Sequence, residues 1–166
     1  RLQGDWSSDV CSSDLPRIIA FFCNWCTYTA ADLAGVSRMK YAPTTRVVRV
    51  MCSGRIDPQF VLSAFAQGAD GVLIGGCHPG DCHYIEGNYK MLRRFNLLKR
   101  MLSDMGIEKE RVRLEWISAS EGDRVKKVVN EMTEHIKALG PLKLPQAMAQ
   151  WDIEFEEEVK EEPAHA

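Results

Sequence analysis

The sequence predicts an α/β domain built on a parallel sheet. Three observations carry that expectation: four short apolar or β-branched runs, four segments of helical periodicity, and their alternation along residues 16–140. Arg17 to Phe22 (RIIAFF) is short and apolar, as a buried strand is. Thr27 to Met39 reads as a helix, with Ala30, Ala31, Leu33 and Ala34 along it. Thr45 to Met51 is β-branched and reads as a second strand. Asp57-Pro58 then offers an N-cap and a first helical residue, opening a helix to about Gln67. Gly71 to Gly75 (GVLIG) is a third strand, and Asn88 to Met105 carries Met91, Leu92, Phe95, Leu98, Met101 and Leu102 at helical spacing before Gly106 ends it. Val112 to Ile117 supplies a fourth strand, and Asp123 to Leu139 a fourth helix with Val125, Val128, Val129, Met132 and Ile136 on its inner face. Parallel strands need crossovers, which are right-handed and usually helical, so the expected fold is a Rossmann-like or flavodoxin-like sheet of about four strands with helices on both faces.

With 166 residues, 45% apolar and 27% charged, the chain fits one globular domain able to bury its own core. No apolar run approaches the roughly 18 to 20 residues that span a bilayer, and the start lacks the basic-then-apolar layout of a secretory signal, so a cytoplasmic protein with no membrane partner is expected. Residues 1–15 (RLQGDWSSDVCSSDL) are polar, show no periodicity and repeat Ser-Ser-Asp. They resemble a translated sequencing adaptor and are expected to be a non-native or disordered leader, which sets Cys11 aside and puts the true start upstream. Residues 141–166 are expected to form an acidic, flexible tail with one short helix near Met148, docked through Trp151 and Phe155. Residues 152–162 hold seven acidic side chains against Lys160, whereas residues 16–151 hold 19 basic against 13 acidic side chains. The basic groups are scattered and match no nucleic-acid motif; they suit docking of an acidic protein instead.

The cysteines carry the chemistry. Cys23 and Cys26 follow the first strand, Cys52 the second, Cys77 and Cys82 the third, so all five are expected on the carboxyl edge of the sheet, where open α/β folds bind ligands. A lone cysteine is usually a small buried hydrophobe; five on equivalent loops are not, and a disulfide framework is unexpected in a cytosolic domain of this size. Cys23-Asn24-Trp25-Cys26 by itself also fits a thioredoxin-like thiol-disulfide oxidoreductase, but that chemistry leaves Cys52, Cys77 and Cys82 without a role. Four thiolates also suit structural zinc, which would make the chain a zinc-stabilised adaptor. A 2Fe-2S cluster takes four cysteine thiolates and is the favoured reading, with Cys26, the one nearest the first helix, set aside first as the surplus thiol.

Gly75-Gly76, Gly80 and Gly54 are expected to let peptide N–H groups approach the sulfurs. His78 and His83 are read as loop or supporting residues, since a Rieske centre needs only two cysteines. Arg55 either offsets cluster charge or lies on the surface, and Trp25, Tyr28, Tyr84 and Tyr89 either exclude water, form a docking surface or simply pack.

The stretches FFCNWCTYTAADLAGVSRMKY, VVRVMCSGRIDPQFVLSAFAQGADGVLIGGCHPGDCHYIEGNYK and RRFNLLKRMLSDMGIEKERVRLEWISASEGDR resemble the delta subunit family of methyl-viologen-reducing, F420-non-reducing nickel-iron hydrogenases, over about residues 16–140. The resemblance implies an electron-relay subunit of an oxidoreductase complex, with no catalytic residues of its own. It also implies one 2Fe-2S cluster that passes electrons from the hydrogenase large and small subunits to the flavoprotein A subunit of heterodisulfide reductase. In methanogens that complex bifurcates electrons during methanogenesis, and similar chains occur beside formate dehydrogenase. The family cysteines carry over onto Cys23, Cys26, Cys52, Cys77 and Cys82.

Overall fold

The computed structural model describes residues 15–143. Cys11, the helix expected near Met148, Trp151 and Phe155 lie outside the described residues. The elements run β1 (Ile18–Cys23), α1 (Thr27–Val36), β2 (Thr45–Val50), α2 (Pro58–Ala66), β3 (Gly71–Gly76), α3 (Gly87–Asp104), β4 (Val112–Trp116) and α4 (Gly122–Leu139). All four strands are parallel, in the order β2-β1-β3-β4. The α/β expectation is met, and most boundaries fall within a residue of those read from the sequence.

The exception is α1, which stops at Val36 instead of Met39. Arg38 takes a φ of 53°, its N–H bonds the Gly35 carbonyl at 2.9 Å, and the Met39 N–H bonds the Ala34 carbonyl at 2.9 Å. That is a Schellman stop, closed by a residue whose identity does not announce it. Two short 3-10 turns, Ser53–Arg55 and Lys109–Arg111, complete the described structure.

Strand periodicity of two sorts the core into two layers. Ile18, Ala20 and Phe22 of β1 and Leu73 of β3 face Ala30 of α1 and Val125, Val129, Met132 and Ile136 of α4. Phe21 of β1 and Val72 and Ile74 of β3 face Val61 and Phe65 of α2 and Met91, Phe95 and Leu98 of α3. Helices therefore cover both faces, and each fully buried aliphatic or aromatic side chain contributes about 1.5 to 3 kcal/mol to holding them there. β2 is an edge strand, half open to solvent, and the exposed Arg46 and Arg49 make it a poor template for strand addition.

Strand order reverses between β1 and β3: the chain leaves β1 for β2 on one side and returns to β3 on the other. At such a switch point the loops beyond the carboxyl ends diverge and leave a crevice. The register levels those ends, since Cys23 pairs with Val50 and Phe22 with Gly75. Cys52 and Cys77 then emerge beside Cys23.

The lower end of the sheet is tied by a buried arginine. Arg111 donates to Glu108 at 2.7 Å and to the backbone carbonyls of Asp70 and Gly140, each at 3.0 Å. Asp70 accepts in turn from the N–H groups of Arg17 at 2.8 Å and Leu142 at 3.0 Å.

Candidate metal centre

All five cysteines are buried, unbridged and gathered at the switch point. They form two sets. Cys23, the last residue of β1, Cys26, the N-cap of α1, and Cys77, the residue after β3, have sulfurs within 4.8 Å of one another. Cys52, just past β2, and Cys82, in the loop before α3, form the second set with sulfurs 3.8 Å apart, the same separation as Cys23 and Cys77. Cys26 is not turned away into α1: it packs with Cys23 and Cys77.

The local backbone explains why the thiols converge. Gly75 is compelled, because a Cβ there would overlap the Thr27 side chain, and Thr27 sits buried at the start of α1 beside the Gly76 carbonyl. Gly76 would likewise meet Trp116 at 2.8 Å. These two glycines thus let α1 and β4 close on β3. Gly80 has open space around it and a φ of 94°, so it serves the turn between Cys77 and Cys82. Only Gly54, among the glycines singled out from sequence, presents its N–H to a thiol, that of Cys52 at 3.4 Å.

Several residues that sequence reasoning passed over hold the loops. Gly87, the first residue of α3, lies against the second pair: a Cβ there would collide with Cys52 Sγ and stand 3.1 Å from Cys82 Sγ. Asn88 is buried and donates to the His78 carbonyl at 2.7 Å and the Cys77 carbonyl at 3.4 Å. Arg94, about two helical turns beyond Gly87, donates to the Gly54 carbonyl at 2.7 Å and so fixes the turn after Cys52. The amino end of α3 therefore organises both loops. The one local signal was the run of Gly and Asn where a helix begins. His78 pairs with Glu121 at 2.8 Å, His83 stacks on Trp25 with ring centroids 4.1 Å apart, and Arg55 lies over Phe60; none belongs to the thiol sets.

Crowding sets the acidities. Hydrogen bonds from the Cys26 and Cys77 thiols, with N–H groups of Trp25 and Ser53, hold Cys23 down to about 2. The same sharing pushes Cys26 up to about 11 and Cys77 higher still, since an ionised Cys23 repels a second thiolate. In the other pair burial pushes Cys52 up. Burial opposes ionisation of Cys82 too, but the N–H groups of Tyr84 in the preceding loop and of Asn88 and Gly87 at the start of α3, with the Cys52 thiol, outweigh it and hold the thiol below its ordinary value. In each set one thiol is held down while a neighbour is pushed up.

The donor set is all sulfur, and the two separations of 3.8 Å have a metal meaning. Two thiolates on one tetrahedral metal, with bonds of about 2.3 Å, stand about 3.8 Å apart. The residues present fit two such edges. In addition, Ser53 Oγ is buried beside this site with no partner among the described residues.

Residues 18–140 match the family model described as FlpD, methyl-viologen-reducing hydrogenase, delta subunit. The chain is 61% identical over 129 residues to the vhc iron-sulfur D subunit of the F420-non-reducing hydrogenase of Methanococcus voltae, covering 78% of this chain and 90% of that one. It is 59% identical over 128 residues to the iron-sulfur D subunit of the F420-non-reducing hydrogenase of Archaeoglobus profundus, covering 77% and 93%. It is also 46% identical over 130 residues to the A subunit of the ferredoxin/F420H2-dependent CoB-CoM heterodisulfide reductase of Methanosarcina acetivorans, covering 78% of this chain but 16% of that protein.

Proposed function

Because the chain belongs to the family of methyl-viologen-reducing hydrogenase delta subunits, we propose that it is a non-catalytic electron-relay subunit. Residues 16–140 would carry one 2Fe-2S cluster. The observation that carries this reading is the pair of matched sulfur separations. Cys23 with Cys77, and Cys52 with Cys82, each stand 3.8 Å apart, as two thiolates on each of two irons would. Cys26 is then the fifth thiol, placed to hydrogen-bond the first pair.

When bound, such a cluster accepts and releases single electrons without rearranging its ligands. This chain's own residues would do the rest. The Gly54 N–H donates toward Cys52, and the amino end of α3 supports Cys82, both of which favour the more negative, reduced state. Burial of all five cysteines excludes water from the sulfurs.

Electrons enter from a hydrogenase or a formate dehydrogenase and leave to the flavoprotein A subunit of heterodisulfide reductase, in the cytoplasm of a methanogen or another anaerobe. The shares of the relatives that match support that acceptor. The domain makes up 90% of the Methanococcus voltae hydrogenase relative yet only 16% of the Methanosarcina acetivorans reductase relative. A segment that is separate in one protein and fused in another works against the remainder of the fused one.

The test is metal analysis of the full chain made anaerobically. About two irons and two acid-labile sulfides per chain, with a spin-resonance signal on reduction, are expected. Stoichiometric zinc without sulfide after anaerobic reconstitution would overturn the reading. Cys77→Ser should then abolish transfer to the reductase while the hydrogenase still reduces an artificial dye.

A further inference from the structure

Beyond the buried cysteines the chain shows solvent an apolar cap. Trp25 is 46% exposed, Tyr84 50%, Ile85 79% and Tyr89 46%. Two of these side chains are joined through His83 and to each other. Trp25 donates its indole N–H to the Tyr84 hydroxyl at 3.3 Å and stacks on His83, whose ring meets Tyr84 edge-on at 4.9 Å.

At its tip the backbone is strained. The Glu86 N–H bonds the Tyr84 carbonyl at 2.8 Å, a three-residue turn centred on Ile85, whose φ is 67°. This is the γ-turn with positive φ, the rarer and less favourable of the two forms. β-branched residues almost never occupy positive φ, which glycine adopts without the Cβ clash. A fold that accepts such a backbone to present an isoleucine to water points to something that covers it. The turn is tied to the site as well, since the Ile85 N–H bonds the carbonyl of Cys82 at 2.9 Å.

We propose that Ile85, together with the exposed Trp25, Tyr84 and Tyr89, is the anchor of the surface on which the electron acceptor docks. This rests on the relay reading above. The occupant is a protein whose facing surface has an apolar pocket for Ile85 and carboxylates nearby. Arg49 and Arg55 stand exposed on the β2 side of the cysteines, Glu86 of the cap is paired with Lys90 at 3.8 Å, Asp81 is the other exposed acid of the loop, and residues 16–151 hold 19 basic against 13 acidic side chains. Docking there would set the acceptor against the segments next to Cys26 and Cys82, since Trp25 precedes Cys26 and the Ile85 N–H bonds the Cys82 carbonyl.

The experiment compares the full parent chain with Ile85→Gly and Ile85→Leu, binding each to the immobilised A subunit of heterodisulfide reductase. Glycine relieves the strained turn and removes the anchor. Its iron and sulfide content should equal the parent's and its melting temperature should be equal or higher, while affinity falls about 30-fold, as for a central interface residue. Leucine should restore most of the affinity despite keeping the strain. Undiminished affinity for Ile85→Gly, or a parent that does not bind, overturns the docking face. A parent without iron whose binding still depends on Ile85 overturns the relay reading and leaves the docking face standing.

Discussion

Replacing Gly87 by alanine isolates the contact that lets Cys52 and Cys82 approach. The added Cβ would collide with Cys52 Sγ and stand 3.1 Å from Cys82 Sγ, and neither neighbour is the loose end of a long chain. Cys52 is anchored where β2 meets the turn that Arg94 pins at the Gly54 carbonyl, and Cys82 is anchored by the Ile85 N–H at 2.9 Å. Relief must come from spreading the two sulfurs or lifting α3. Overpacking of this kind costs about 1 to 3 kcal/mol. Gly87 is not at positive φ, so alanine suffers no backbone penalty there and its helix propensity works slightly in favour of the variant. The expected result is a protein that folds, melts about 4 to 12 °C lower, and retains well under half the parent's iron after anaerobic reconstitution.

Gly80→Ala is the matched control. Its φ is 94° and nothing lies within 4 Å of the new Cβ, so it should lose about 1 to 2 kcal/mol of stability through the backbone alone and keep its iron. Full iron content and an unchanged visible spectrum in Gly87→Ala would refute the claim that this contact sets the spacing of the second pair.

Two further outcomes concern the lower end of the sheet. Arg111→Leu should destabilise the metal-free protein by about 2 to 4 kcal/mol in urea titration, because the carbonyls of Asp70 and Gly140 lose their buried donor; a loss under about 1 kcal/mol would mean that water replaces the guanidinium. Glu108 is held below the ordinary carboxylate value of 4.5, chiefly by its hydrogen bond from Arg111. A carboxylate lowered in the folded state contributes stability that is fully present above the unfolded value and is lost as pH falls through the folded one. Urea titrations of the metal-free protein from pH 7 to pH 3 should therefore show less acid-side loss in Glu108→Gln than in the parent, and parallel curves would contradict the assignment.

How much of this was legible beforehand differs between fold and site. The strands and helices follow from local pattern: alternation places Ile18, Ala20 and Phe22 on one face and Phe21 on the other, and Asp57-Pro58 starts α2, with the Asp57 side chain accepting from the Gln59 N–H at 3.0 Å. The early stop of α1 was not legible, because Arg38 adopts its left-handed conformation to close the helix, where residue type points only to Gly or Asn. The convergence of five cysteines was foreseeable from their place after successive strands. Their division into two sets was not, since Cys26 lies three residues from Cys23 and 51 from Cys77 yet packs with both.

Gly87, Asn88 and Arg94 look like an ordinary helix start until α3 is laid across the turn after Cys52, about 35 residues earlier in the chain. The strained turn at Ile85 is hidden for a similar reason: its φ is imposed by the tie to Cys82 and the onset of α3, against the preference of the residue itself. What the amino-acid order determined alone was whatever depends on neighbours a few residues apart: periodicity, caps, the α/β class and the carriage of thiols to one edge. Only the tertiary structure decided which sulfurs pair and what presses on them, because those contacts join segments whose distance in space is unrelated to their distance along the chain.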